Sequence, residues 1–162
     1  MIYGVLIRKG ERYYSYLRKL FSALNNMQVQ YKWLLSNYEC YPQDSDLKEM
    51  LAGRYLVLDG EQLTDLVNKE DVQWIWGIFC GVDPAISDEE LLASLPSQQD
   101  AFKGYEHLPF AMAHPRSKIE IVAVDSSYTM ILTKEFSILE TLKKSYPCAE
   151  DLAVVIADCT NT

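Results

Sequence analysis

Eight residues near position 120 constrain this chain more than any others. In Lys118-Ile-Glu-Ile-Val-Ala-Val-Asp125, Ile119, Ile121 and Ala123 fall on one face of an extended chain and Val122 and Val124 on the other. A strand that is apolar on both sides needs cover on both sides. Asp125-Ser-Ser-Tyr128 follows, with side chains that hydrogen-bond their own backbone in turns, and Thr129-Met-Ile-Leu-Thr133 resumes a β-branched apolar run, so a hairpin is expected. Ser137 and Glu140 then have capping-box spacing. Ile138, Leu139 and Leu142 form the apolar stripe of a helix, Lys143 and Lys144 suit its negative end, and Pro147 stops it.

The rest of the chain offers a run of such elements. Ile2 to Ile7 reads as a strand ended by Arg8-Lys9-Gly10. From Glu11 the period changes, and Tyr13, Leu17, Leu20 and Leu24 mark an amphipathic helix up to Asn25-Asn26. Gln28 to Leu35 alternates, with Val29, Tyr31, Trp33 and Leu35 on one side, as a half-buried strand does. Ser36 to Lys48 is a polar loop before a short helical turn at Leu47 to Leu51, and Tyr55 to Leu58 is a short strand. Asp59 and Gln62 form a second capping-box pair, ahead of Leu63, Leu66 and Val67. Val72 to Cys80 reads as the most buried strand, and Ser87 with Glu90 opens a helix stopped by Pro96. Between 97 and 117 no period holds, which predicts an irregular excursion, mobile or functional. The tail, Asp151 to Ala157, reads as a last strand.

These elements predict a single α+β domain over residues 1–162, with a mixed or largely antiparallel sheet and helices packed on it. A chain of 162 residues that is 49% hydrophobic can build one real core. Its 23 acidic and 15 basic residues give a net charge of -8, which repels nucleic acid and anionic membrane surfaces and attracts a basic protein. No run approaches the roughly 20 apolar residues needed to span a bilayer, and no secretory signal pattern opens the chain, so a cytoplasmic protein with reduced thiols is expected. Cys40, Cys80, Cys148 and Cys159 show no zinc-site spacing, and no metal or cofactor is expected.

The Tyr-Lys-Trp strand followed by Glu39-Cys-Tyr41, the Leu58-Asp59-Gly60 helix start, and Val122-Ala-Val-Asp125-Ser-Ser-Tyr128 before Leu139-Glu-Thr-Leu142 carry a resemblance. Over most of its length the chain resembles small uncharacterised bacterial proteins grouped as a domain of unknown function. That likeness implies a bacterial origin and one α+β domain, and nothing about chemistry.

Candidate functional residues fall in two groups. His107 and His114, the only histidines, lie in the excursion, and with Glu106 or Asp125 they could serve Ser126, Ser127 or Cys80 as nucleophile. No nucleophile elbow supports that arrangement, and surface loop histidines are the plainer reading. Glu39, Asp44, Asp46 and Glu49 lack the order of a calcium loop and read as a solvated face. The second group is aromatic. Trp33, Tyr38 and Tyr41 beside Glu39, with Asp125 and Tyr128 as a further polar site, have the composition of an interface if they are exposed together. The leading expectation is a non-catalytic interaction protein that engages a basic partner through the surface at Trp33 to Tyr41, as an immunity-type inhibitor would. The competing one is a small hydrolase or transferase built on the 102–116 loop with Asp125. A third is a subunit that works as a homo-oligomer, which would expose an apolar patch.

Overall fold

The computed structural model describes residues 1–161, and its centre is the strand that the sequence singled out. Ile119–Val124 (β5) has every residue buried. It pairs antiparallel with Tyr128–Thr133 (β6) on one side and with Trp76–Val82 (β4) on the other. Beyond β4 come Lys32–Glu39 (β2) and Tyr55–Asp59 (β3), and beyond β6 come Tyr3–Ile7 (β1) and the two-residue Glu150–Asp151 (β7). All seven strands form one antiparallel sheet in the order β3-β2-β4-β5-β6-β1-β7.

Both faces of that sheet are covered, as the two-sided β5 requires. Ile119, Ile121 and Ala123 join the first core with Trp33, Leu35, Phe79 and Ile131. Over it lie the helices Leu17–Ala23 (α1), Gly60–Lys69 (α3) and Phe136–Ser145 (α5), which contribute Leu20, Leu63 and Leu142 among others. Val122 and Val124 join the second core with Leu6, Leu34, Ile78 and Leu132. Its cover is thinner: Asp88–Leu92 (α4), Leu152–Thr160 (α6), and the excursion between them, which inserts Ala101, Tyr105 and Phe110. The short Ser45–Met50 (α2) completes the helices. No helix of the described residues is long and apolar enough to cross a membrane.

The Asp59–Gln62 capping box forms as its spacing predicts, each side chain satisfying the other residue's backbone N–H at 2.8–2.9 Å. Ser87 likewise accepts from Glu90 N–H. The Ser137–Glu140 pair does not cap, because α5 begins at Phe136 with Glu135 at its N-cap and Ser137 already inside.

Three other expectations are corrected. Asn25 and Asn26 both take positive φ, and residues 27–30 then wind as a 3-10 turn, so the alternation begins only at Lys32. Gln28 is buried with its amide donating to Thr64 Oγ1, while Val29 is exposed, the reverse of the expected faces. The strand expected at Val72 begins at Trp76; Val72 and Trp74 reach the first core from the preceding loop. The tail is a helix. Asp151 accepts from Ala153 and Val154 N–H, and that cap settles a short apolar run whose period alone leaves strand and helix undecided.

Candidate functional site

The 102–116 loop holds its place through one carboxylate. Glu120 projects from β5 on the face of Val122 and Val124, fully buried. Its Oε2 accepts from the Tyr105 hydroxyl at 2.7 Å and Ala113 N–H at 2.9 Å. Its Oε1 accepts from Ser117 Oγ at 2.7 Å, His114 N–H at 3.0 Å and the Cys80 thiol at 3.4 Å. A buried carboxylate needs partners for its lone pairs, and here five neutral donors supply them. His114, also fully buried, donates from Nε2 to Leu91 C=O at 2.9 Å and accepts Arg116 N–H on Nδ1 at 3.1 Å. Both ring nitrogens are thereby committed to backbone. The expectation of a surface histidine fails at His114 because its ring fastens the excursion to α4.

Cysteine, histidine, glutamate, serine and tyrosine thus meet in one cluster, with the residue types of a nucleophilic site and the environment of a core. Burial raises the Cys80 thiol and the Tyr105 hydroxyl well above their usual ranges, and the neighbouring Glu120 charge adds to both. A thiol so held is not a thiolate. The cluster orders the loop. The signal that would have found Glu120 is a lone charge inside an otherwise apolar two-sided strand.

The aromatic patch expected at Trp33 to Tyr41 does not come together. Trp33 is fully buried, its indole N–H donating to Gln28 C=O at 2.8 Å. Tyr38 is half-buried, packs edge-on against Trp74, and donates to Gly53 C=O at 2.8 Å. Glu39 and Tyr41 remain on the surface, joined by a 2.7 Å hydrogen bond from the Tyr41 hydroxyl. The physical reason is that β2 runs on to Glu39 through a bulge after Ser36, instead of ending in a loop at Leu35. Tyr38 and Glu39 line an open depression with Arg54, Trp76 and Phe102.

Asp125 and Ser126 both have positive φ, and Ser127 N–H returns to Val124 C=O at 2.9 Å, the geometry of a type I′ turn. Asp125 stands exposed on that turn. Tyr128 leads from it into a groove of about 400 Å³ on the second face. Leu6, Val124 and Met130 of the sheet, Val155 and Ile156 of α6, and Phe102 of the excursion line it. Arg8, Glu106 and His107 stand among its other lining residues. Gly4 lets α6 lie this close to β1, since a Cβ there would sit 2.9 Å from Leu152 Cβ.

The charges beside the groove are uneven. Arg8 is engaged by Glu150 through two hydrogen bonds of 2.7 and 3.1 Å, and Lys9 joins the same carboxylate. Burial raises the Tyr128 hydroxyl, and the charges of Glu106 and Asp125 push it the same way. The helix above is apolar nearly all round, Leu-Ala-Val-Val-Ile-Ala, yet only Leu152 is buried and Val154 is 57% exposed. Among the described residues no group of three or more His, Cys, Asp or Glu is arranged to hold a metal ion. Compared with family models, curated proteins and solved structures, the chain matches none.

Proposed function

We propose that this is a non-catalytic binding protein, and that the groove beside α6 receives an apolar segment of a basic partner. The groove itself carries the reading: an apolar recess of about 400 Å³ under a helix whose apolar side chains are half uncovered. Glu106 and Asp125 beside Tyr128, on a chain of net charge -8, favour a cationic occupant. An immunity-type inhibitor that masks a basic toxin is one concrete form. The binding surface is thereby moved from Trp33, Tyr38, Glu39 and Tyr41 to Asp125, Tyr128 and α6. The test is a pair of fluorescent amphipathic peptides with the same apolar face, one lysine-rich and one glutamate-rich. The basic peptide is expected to bind, to weaken as salt rises, and to be lost with Ile156→Asp. Equal binding of both peptides, or binding that ignores Ile156→Asp, overturns the reading.

A hydrolase or transferase reading has one observation in its favour, that Glu106, His107 and Tyr128 line the same groove. It predicts turnover of an activated aryl ester that disappears in His107→Ala and leaves peptide binding intact.

A further inference from the structure

On the opposite side of the sheet, the run Glu11-Arg-Tyr-Tyr-Ser-Tyr16 wraps a separate cavity of about 220 Å³. Tyr13, Tyr14 and Tyr16 form its wall with Tyr146 of the segment after α5. Tyr13 and Tyr16 meet edge to face with centroids 6.4 Å apart. Ser15 lines it from within the run. Its backbone is held from both directions, N–H donating to Thr129 Oγ1 at 3.1 Å and C=O accepting from Trp74 N–H at 3.1 Å. Those two bonds hold Ser15 at φ +67, a conformation that serine seldom adopts and that tends to mark functional positions. The residue is 95% buried, by its 5% exposure, and its hydroxyl has no hydrogen-bond partner among the described residues.

Charge here runs against the rest of the molecule. Arg12 lies over the Tyr13 ring at 5.2 Å, with no carboxylate in salt-bridge range among the described residues. Lys19 lies over Tyr146 at 4.8 Å and shares its charge with Glu11 at 2.6 Å. Arg12, Lys19 and Glu11 sum to +1 on a chain of -8. The volume is below the roughly 300 Å³ at which pockets for drug-sized ligands begin, so the occupant is a single ring and not a peptide.

We propose that this cavity is a second binding site, for one flat aromatic ring carrying a single anionic group. The tyrosine rings take the ligand's ring edge-on or offset, and Arg12 takes the anion. The site is independent of the groove beside α6.

The experiment follows the backbone amide resonances of Tyr13, Ser15 and Tyr16 as benzoate, phenyl phosphate, acetate or benzylamine is added. Benzoate and phenyl phosphate are expected to shift them saturably, and acetate and benzylamine to leave them in place. Arg12→Met is expected to weaken benzoate binding at least tenfold, while Ile156→Asp leaves it unchanged. Binding of benzylamine as tight as benzoate, absence of any saturable shift, or benzoate binding untouched by Arg12→Met overturns the proposal. Because Arg12 is exposed, its replacement leaves the core intact and that variant decides the matter. A cavity filled by water alone predicts the result with no shift.

Discussion

The hydroxyl of Tyr105 meets Oε2 of Glu120 at 2.7 Å, and through that bond an irregular loop is tied to the central strand of the sheet. The excursion is thereby a built part of the second core. Replacing Glu120 by Gln keeps the shape but turns one acceptor oxygen into a donor facing donors. Glu120→Gln is expected to cost about 3 kcal/mol or more, and Tyr105→Phe about 1–3 kcal/mol by leaving one carboxylate lone pair unmet. Denaturant midpoints measure both, and a Glu120→Gln loss below that of Tyr105→Phe would count against the five-donor account.

Gly60 is the first residue of α3, and inside a helix Gly→Ala ordinarily stabilises by about 0.5–1 kcal/mol. Here a Cβ would lie 2.2 Å from Gln28 C=O and 2.4 Å from Val29 Cα. Backbone atoms cannot swing aside. Gly60→Ala is therefore expected to destabilise by about 1–3 kcal/mol, as overpacking does, and a rise in melting temperature would refute the close approach.

The Arg8 hydrogen bonds, aided by Lys9, hold Glu150 down at about 2, below the ordinary glutamate value of 4.5. A lowered folded-state value contributes stability above the unfolded value and loses it as pH falls from about 4.5 towards about 2. Wild type is thus expected to lose more of its denaturant midpoint than Glu150→Gln between pH 5 and pH 2.5. Parallel curves for the two proteins would show that the pair is screened by solvent.

Cysteine labelling reads burial directly. The Cys148 side chain is exposed, burial with help from Glu70 raises the Cys40 thiol to about 11, and burial pushes the Cys80 thiol well above its usual range. At pH 8 a thiol reagent is expected to modify Cys148 at once, Cys40 slowly, and Cys80 only at the rate of unfolding. Prompt labelling of Cys80, read by peptide mass, would mean that the Glu120 cluster opens.

Asp71 caps α1 from 54 residues away along the chain, its Oδ1 accepting from Leu17 N–H at 3.2 Å and Arg18 N–H at 3.3 Å. Tyr16, the N-cap residue itself, offers no side-chain bond. Asp71→Ala is expected to cost about 1 kcal/mol. Asp71→Asn keeps an acceptor oxygen and relieves the burial that raises the Asp71 carboxyl, so it is expected to cost less when the two are compared by thermal melts.

Local chemistry accounts for much of this architecture. Ile119 to Val124, apolar on both faces, forms a strand with cover on both sides, and Asp59 with Gln62 forms a helix start, because both effects act over a few neighbouring residues. The α+β class and the antiparallel sheet follow from such segments strung in order. Contacts between distant residues decided the rest. Whether Leu152 to Thr160 coils or extends was decided by the Asp151 cap and by packing against Gly4, and the depth of Trp33 by a sheet that adds neighbours on both sides of β2. The partners of Glu120 come from positions 80, 105, 113, 114 and 117, and only a folded chain brings those donors to one pair of oxygens.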